Sequence, residues 1–187
     1  MLLEEIYRNA RVVNSGKTLT TVNEFTDQLP ALRPKVLIEV AYAILEHLDC
    51  DFDKIVTEED KGAPLATTIS LLTGKPLAMA RWYPYSLTEL NNNVVDIKSE
   101  YFEGKMYLNG IDKGDRVVII DDTLSTGGAV IALAEALKTA GSTIEKVICA
   151  IEKVQNKGKE KVKEITGLDV TSIMKIEVFP EEVKVVK

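Results

Sequence analysis

The strongest constraint on the fold lies in one apolar segment that ends in two acidic residues. Val117–Ile120 is a continuous run of β-branched residues, and Asp121 and Asp122 follow it directly. A strand that is apolar at every position, rather than at alternate positions, is typical of a parallel sheet covered by helices on both faces. The segment therefore predicts a buried strand in an α/β fold, with two carboxylates at its carboxyl end.

The rest of the chain alternates between short apolar runs and helical periodicity, as a parallel α/β sheet requires. Apolar spacing, prolines and glycines predict helices at Pro34–Leu48, Pro64–Leu72, Gly128–Ala140 and Lys157–Ile165. Strands are predicted at Lys54–Thr57, Pro76–Ala80, Arg116–Ile120, Val147–Ile151, Val170–Val178 and Val183–Val186, and a hairpin at Ile97–Tyr101 and Lys105–Leu108. Residues 81–96 show no periodicity, and a loop of that length in a compact domain is expected to be functional or disordered.

Composition narrows the class of protein. The 187 residues suffice for one domain, and the net charge of −6 argues against a surface that coats nucleic acid. Cys50 and Cys149 form no Cys-x-x-Cys pair, which favours a reducing compartment. The acidic start, Met1–Ile6, lacks the bases of a signal peptide, and no apolar stretch approaches the roughly 18 residues that span a bilayer. We expect a cytoplasmic protein with no nucleic-acid or membrane partner.

The acidic pair and the turn after it indicate the chemistry. Adjacent carboxylates are unfavourable to bury because each raises the pKa of the other, so a compensating interaction is expected beside them. Hydrogen bonds from sugar hydroxyls or a nearby divalent cation would supply one. Ser125 and Thr126 add hydroxyls, and Gly127 and Gly128 let a ligand approach the free N–H groups of a helix start. The combination predicts a site for a sugar phosphate.

Two other structures would also use parts of this segment. The aspartates and glycines would also serve as a helix cap and a turn, although a cap needs only one acid and one small residue. A nucleotide triphosphatase would need a Gly-x-x-x-x-Gly-Lys-Ser/Thr loop, and the chain has neither that loop nor a Gly-x-Gly-x-x-Gly motif.

The segment Val117–Ala129 closely resembles the phosphoribosyl pyrophosphate signature of type I phosphoribosyltransferases. The resemblance implies a mostly parallel sheet flanked by helices in one domain over 1–187, with a small hood from about 1–33 and 168–187 and a flexible loop at about 82–103. It implies that Asp121 and Asp122 hold the ribose hydroxyls and Mg²⁺. It assigns the 5′-phosphate to Thr123, Leu124, Ser125, Thr126, Gly127 and Gly128. Ala129 departs from the pattern, since many members carry threonine there.

The resemblance extends to two further loops that would bind pyrophosphate. Lys61 and Gly62 match a pyrophosphate loop, and Arg81 matches an arginine that contacts the same group. The acids at 58–60 precede Lys61 and suit such a site only if magnesium intervenes; otherwise they form a solvated helix start. The aromatic run after Arg81 either stacks on a ligand or packs under the loop.

The resemblance also implies catalytic and base-binding residues. Glu100, in the stretch Lys98–Tyr101, resembles a glutamate of the adenine branch that assists proton transfer, and Asp122 is the second expected catalytic residue. The alternative for Glu100 is an exposed strand residue. Ile151 and Lys153 lie where the family contacts the base, and Lys153 would donate to a purine O6 unless it is a solvated lysine.

The stretches Val22–Pro30 and Tyr107–Gly110 look most like archaeal purine phosphoribosyltransferases. This resemblance implies a purine salvage homodimer that uses Mg²⁺ to convert phosphoribosyl pyrophosphate and hypoxanthine, guanine or adenine to a nucleoside monophosphate and pyrophosphate. Three alternatives stay open: a xanthine-specific enzyme, an enzyme for a non-purine base, and a catalytically silent sensor of phosphoribosyl pyrophosphate.

Overall fold

A computed structural model of the chain describes residues 1–14, 16, 19–83, 93–98 and 103–186. An antiparallel pair near the start, β1 and β2, spans Arg11–Asn14 and Leu19–Val22. The strands of the main sheet are β3 Lys54–Glu58, β4 Leu77–Arg81, β5 Asn93–Lys98, β6 Glu103–Leu108, β7 Arg116–Leu124, β8 Thr143–Lys153, β9 Val170–Val178 and β10 Val183–Val186. The helices are α1 Leu2–Arg8, α2 Glu24–Asp27, α3 Pro34–Leu45, α4 Ala63–Thr73, α5 Gly128–Thr139 and α6 Gly158–Thr166.

The main sheet is parallel in its centre and antiparallel at both edges. Its strand order is β10-β9-β8-β7-β3-β4-β6-β5, and the pairs from β9 through β4 are parallel. From β3 the chain continues to β4 on one side, whereas β8 and β9 follow β7 on the other. The order therefore reverses between β3 and β7, which is where open α/β sheets bind ligands.

The continuous apolar run of β7 is explained by its two buried faces. Val118 and Ile120 pack into a core with α1, α3 and α4. Val117 and Ile119 point to the other face and pack against α5 and α6. Helices on both faces of a mostly parallel sheet confirm the predicted fold class.

Two predicted strand boundaries were wrong around the acidic pair. β7 was expected to end at Ile120 but continues to Leu124, and β8 runs through Thr143–Lys153 instead of stopping at Ile151. The two strands stay paired beyond the apolar run, with Asp121 opposite Cys149. Backbone pairing does not depend on side-chain polarity, so the carboxylates lie within the strand rather than after it.

The aperiodic stretch predicted at 81–96 was also too long. β5 begins at Asn93, which pairs with Leu108 of β6, so the hairpin starts four residues before the predicted Ile97. β5 is an edge strand, and polar residues are tolerated there because one side of the strand is unpaired. The predicted helix through Leu48 ends at Leu45. Residues 84–92 and 99–102 of the predicted flexible loop lie outside the described residues.

The two segments predicted to form the hood meet in space, since α1 packs against β10. α1 also contacts α2, and β2 contacts β9. The division into a main body and a hood stays a prediction. Within the part of the chain that the structure describes, no helix is long and apolar enough to cross a membrane.

The core around β7 yields a test of the fold. Ile120 is fully buried, so Ile120→Ala is expected to lower the free energy of unfolding by about 2–5 kcal/mol through lost burial and a residual cavity. Leu71 on α4 is 80% exposed, and Leu71→Ala is the matched control, with an expected effect within about 0.5 kcal/mol. Denaturant unfolding measures both. Equal losses in the two variants would contradict the described core.

Candidate active site

A cavity of about 390 Å³ opens at the carboxyl ends of β3, β7 and β8. Asp121, Asp122 and Thr123 of β7 form one wall, and the loop Glu58–Gly62 after β3 forms a second. Lys153 closes the cavity at the end of β8. The hood segments contribute three hydroxyl side chains, those of Thr20, Thr21 and Thr26. The cavity thus lies at the point where the strand order reverses.

Asp122 is buried in this wall, and Asp121 beside it is half-buried. Asp122 is only 7% exposed, and its backbone N–H donates to Asp121 Oδ1 over 2.8 Å. Burial raises the pKa of both carboxyls, and the Asp122 charge raises the pKa of Asp121 further. Two carboxylates held close together in a partly dry site cost free energy in the free protein, and ligand hydroxyls would offset that cost.

A second, smaller cavity adjoins the pair. It measures about 90 Å³ and is lined by Asp121 and the turn Thr123–Val130. Gly127 caps α5 with a φ of 84°, a left-handed conformation that favours glycine, and α5 begins at Gly128. The backbone therefore curves around a concave space beside a helix N-terminus, which is a suitable environment for an anion. The residues predicted to bind the 5′-phosphate are brought together here.

Gly62 allows the loop after β3 to approach the acidic pair. A Cβ atom at this position would lie 2.5 Å from Thr57 Oγ1 and 2.8 Å from Asp121 Oδ1. Neither distance is compatible with a side chain. Glycine is therefore required for this close approach.

Lys61 has an acidic partner at the end of α2. Its Nζ lies 2.7 Å from Oδ1 of Asp27 at the end of α2. Burial alone would lower the pKa of Lys61, but the Asp27 carboxylate raises it above its ordinary value. The structure brings Lys61 to the cavity, with its charge neutralised by Asp27.

The acids before Lys61 connect to the segment after β4. The Trp82 indole donates to Glu58 Oε1, and the Tyr83 hydroxyl donates to Glu59 Oε1 over 3.0 Å. Arg81 Nε forms a 3.1 Å ion pair with Glu59 Oε2. Burial raises the pKa of Glu58, which ends β3, so a solvated helix start is the wrong interpretation for it.

Arg81 and the aromatic side chain after it lie beside the cavity rather than in its wall. Arg81 is held by Glu59, and Trp82 packs against the core on the α5 side of the sheet. This supports packing, not ligand stacking, for Trp82. The pyrophosphate role of Arg81 stays a prediction.

Of the two predicted base-binding residues, only Lys153 lines the cavity. Lys153 is 7% exposed, so the solvated alternative is wrong, and burial lowers its pKa, with the Lys61 charge lowering it further. Ile151 is fully buried in the core, and the structure does not bring its side chain into the cavity. Glu100 lies outside the described residues, and its catalytic role stays a prediction.

The sequence did not predict the side of the cavity that Thr20, Thr21 and Thr26 form. Thr26 belongs to α2, a short helix whose N-cap Asn23 accepts hydrogen bonds from the N–H groups of Phe25 and Thr26. An asparagine at an N-cap with acids in the next turn is a recognisable local signal for this helix. Thr20 and Thr21 carry no comparable signal, because hydroxyl residues in a short strand are common.

The two carboxylates of the site suit a metal ion that is bound partly by the protein and partly by its substrate. Among the described residues, no group of three or more histidine, cysteine, aspartate or glutamate side chains is arranged to hold an ion. Mg²⁺ commonly takes one or two carboxylates and completes its shell with substrate oxygens and water. Asp121 and Asp122 fit that pattern and do not form a closed protein site.

Comparison with known proteins identifies the family. A family model described as the phosphoribosyl transferase domain matches residues 26–186. The chain belongs to the phosphoribosyltransferase family. It is therefore a glycosyltransferase, and the resemblance drawn from Val117–Ala129 is confirmed.

Relatives and solved structures agree with this assignment. This phosphoribosyltransferase is 42% identical over 177 residues to the hypoxanthine/guanine phosphoribosyltransferase of Methanothermococcus okinawensis, which covers 95% of this chain and 94% of that protein. It is 42% identical over 184 residues to the protein of the same name in Methanocaldococcus infernus, covering 98% of each. The crystal structure of adenine phosphoribosyltransferase from Rhodothermus marinus matches with a TM-score of 0.72 at 22% identity, covering 92% of this chain and 97% of that one. This last likeness shows the fold alone.

The buried charge of Asp121 predicts a gain in stability when it is removed. Asp121→Asn removes a poorly hydrated charge and keeps an oxygen that accepts from the Asp122 N–H. The substitution is therefore expected to raise Tm at neutral pH by about 2–4 °C, equivalent to about 1 kcal/mol. Because the folded pKa is raised, the wild-type carboxyl gains a proton as pH falls, and the difference between the proteins shrinks. Thermal unfolding followed by circular dichroism from neutral to acidic pH measures this.

Asp169→Asn is the control for that experiment. Asp169 is 81% exposed, and its ion pair with Lys163 lies on the surface, so its removal should leave Tm nearly unchanged. A neutral-pH Tm of Asp121→Asn at or below that of the wild type would show that burial of this charge is not costly.

The Lys61–Asp27 pair predicts an effect on anion binding. Asp27→Asn retains an oxygen for the Asn23 N–H and the Thr26 hydroxyl but frees Lys61, so pyrophosphate is expected to bind about two- to fivefold more tightly. Isothermal titration calorimetry with pyrophosphate measures the change. In a Lys61→Met background the same substitution should have no effect. Weaker binding by Asp27→Asn would instead mean that Asp27 holds Lys61 in place for the ligand.

Proposed function

We propose that this phosphoribosyltransferase is a purine salvage enzyme whose bases are hypoxanthine and guanine. It transfers the phosphoribosyl group of phosphoribosyl pyrophosphate to the purine and releases pyrophosphate. The observation that carries the proposal is the meeting of a largely desolvated acidic pair, a glycine turn at a helix N-terminus and a buried lysine around one cavity. The archaeal relatives named above support the choice of bases.

The donor would occupy the cavity along β7. Its ribose hydroxyls donate to Asp121 and Asp122, which offsets the cost of burying these two carboxylates. Its 5′-phosphate lies in the turn Thr123–Gly128. Its pyrophosphate lies toward Lys61, where Gly62 leaves room for the close approach of backbone and ligand.

Mg²⁺ is part of this proposal. Asp121 and Asp122 would hold the ion together with oxygens of the donor, and the bound ion supplies charge neutralisation of the pyrophosphate group. Lys61 adds a positive charge beside the same group.

The reaction is a displacement at ribose C1 by a purine nitrogen, with pyrophosphate as the leaving group. Catalysis by this chain is mainly electrostatic: its carboxylates fix the ribose and face the positive charge that develops there, while its cations neutralise the leaving group. Asp122 is proposed to act in this way. Glu100 is proposed as the group that assists proton transfer at the base.

Base choice is proposed to depend on Lys153. A lysine ammonium has only donors, so it complements the O6 acceptor of hypoxanthine and guanine and not the N6 amino group of adenine. Its burial at the end of β8, on the cavity wall, supports a role in binding rather than in solvation. The proposal also includes a homodimer and a cytoplasmic location.

A pyrophosphate-release assay tests the function. Wild-type protein with phosphoribosyl pyrophosphate, Mg²⁺ and one base at a time is expected to turn over hypoxanthine and guanine at least about tenfold faster in kcat/KM than adenine, xanthine, uracil or orotate. Asp122→Asn is the control variant, and it is expected to lose donor binding while keeping its fold.

The other possible outcomes of this assay would support other functions for the protein. Turnover confined to xanthine, adenine or a pyrimidine would reject the proposed bases and leave the transfer reaction intact. Binding of phosphoribosyl pyrophosphate without turnover of any base would reject the enzyme in favour of a sensor.

A further inference from the structure

The segment after β8 packs directly against the phosphate turn. Lys153 ends β8, a single 3₁₀ turn spans Val154–Asn156, and α6 begins at Gly158 after Lys157, which has a φ of 53°. This segment lies about thirty residues beyond the turn in sequence. It contacts the turn through both its backbone and a side chain.

The two backbones touch at a pair of glycines. A Cβ atom at Gly158 would lie 2.3 Å from the carbonyl oxygen of Ser125 and 3.1 Å from the nitrogen of Gly127. A Cβ atom at Gly127 would lie 2.9 Å from the carbonyl oxygen of Gly158. The close neighbours are backbone atoms, which cannot move aside as a flexible side chain can. The position of the turn is therefore fixed by the start of α6.

One side chain of this segment reaches the turn. Asn156 Nδ2 donates to Ser125 Oγ over 2.8 Å. A hydroxyl has one proton and two lone pairs, so an oxygen that accepts from Asn156 keeps its own proton for a different direction. Ser125 lines both the main cavity and the smaller one beside it.

We propose that Asn156 is a positioning residue that turns the Ser125 hydroxyl toward the 5′-phosphate of the donor as a hydrogen-bond donor. The inference rests on the proposed function. The Ser125 oxygen accepts from the amide, so its own proton is left for the phosphate. Lys153 lies three residues before Asn156. One short segment therefore carries both the lysine proposed to bind the base and the asparagine proposed to orient Ser125 toward the phosphate.

Binding measurements on single and double variants test this role. Asn156→Ala is expected to weaken ribose 5-phosphate binding about three- to tenfold, since the hydroxyl is then free to turn away from the anion. Ser125→Ala is expected to weaken it at least as much, and the double variant no more than Ser125→Ala alone. Pyrophosphate, which does not bind in the turn, should keep its affinity in all three proteins. Calorimetry with each ligand separately gives these values.

Gln155→Ala is the matched control. Gln155 belongs to the same 3₁₀ turn, but its Nε2 donates to the carbonyl oxygen of Val178, away from the phosphate turn. It should bind ribose 5-phosphate as the wild type does. Equal weakening by Gln155→Ala and Asn156→Ala, or additive effects of Asn156→Ala and Ser125→Ala, would overturn the proposal.

The wild-type measurement separates this inference from the proposed function. Wild-type protein that binds neither ribose 5-phosphate nor phosphoribosyl pyrophosphate would overturn both. Wild-type protein that binds them, with affinity unchanged by Asn156→Ala, would overturn only the role of Asn156.

Discussion

The site depends on two adjacent carboxylates that are poorly hydrated at the carboxyl end of β7. Desolvation and mutual repulsion make Asp121 and Asp122 unfavourable in the free protein, and the surrounding structure has to hold them there. It does so by continuing the pairing of β7 with β8 past the apolar run, where Asp121 lies opposite Cys149. The stability that supports this arrangement comes from the two cores on either face of the sheet. A strained polar site on a well-packed sheet is the usual compromise between function and stability.

Charges around the cavity are balanced between elements that are distant in sequence. Asp27 of α2 neutralises Lys61, and Glu59 pairs with Arg81 at the end of the neighbouring strand β4. Lys153 faces the same cavity with its positive charge partly desolvated. Two of the cations near the cavity, Lys61 and Arg81, therefore have acidic partners from other elements. In a chain with a net charge of −6, the positive charge that the proposed donor needs would therefore come from these few local cations.

Much of this arrangement could be predicted from the sequence, and the failures have physical causes. The β-branched run at Val117–Ile120 indicated the central strand and the sheet type because burial on both faces leaves a continuous apolar pattern. The end of that strand was misplaced because polarity marks the end of a buried run, whereas pairing with β8 continues regardless. β5 was predicted to start too late because an edge strand does not need apolar residues. The partnership of Lys61 with Asp27 could not be predicted, since the two residues lie 34 positions apart and nothing local connects them.

The contact between Gly127 and Gly158 has a consequence for how the chain reaches its folded state. The signature Val117–Ala129 is local in sequence, but the turn it contains is supported by a segment that follows an entire further strand. Ser125 and Asn156 are 31 residues apart, so the loop between them must close before the turn takes its final shape. The contacts that hold this turn are therefore complete only when β8 and α6 are in place. An emerging chain that has formed β7 alone would carry the family signature without a binding site.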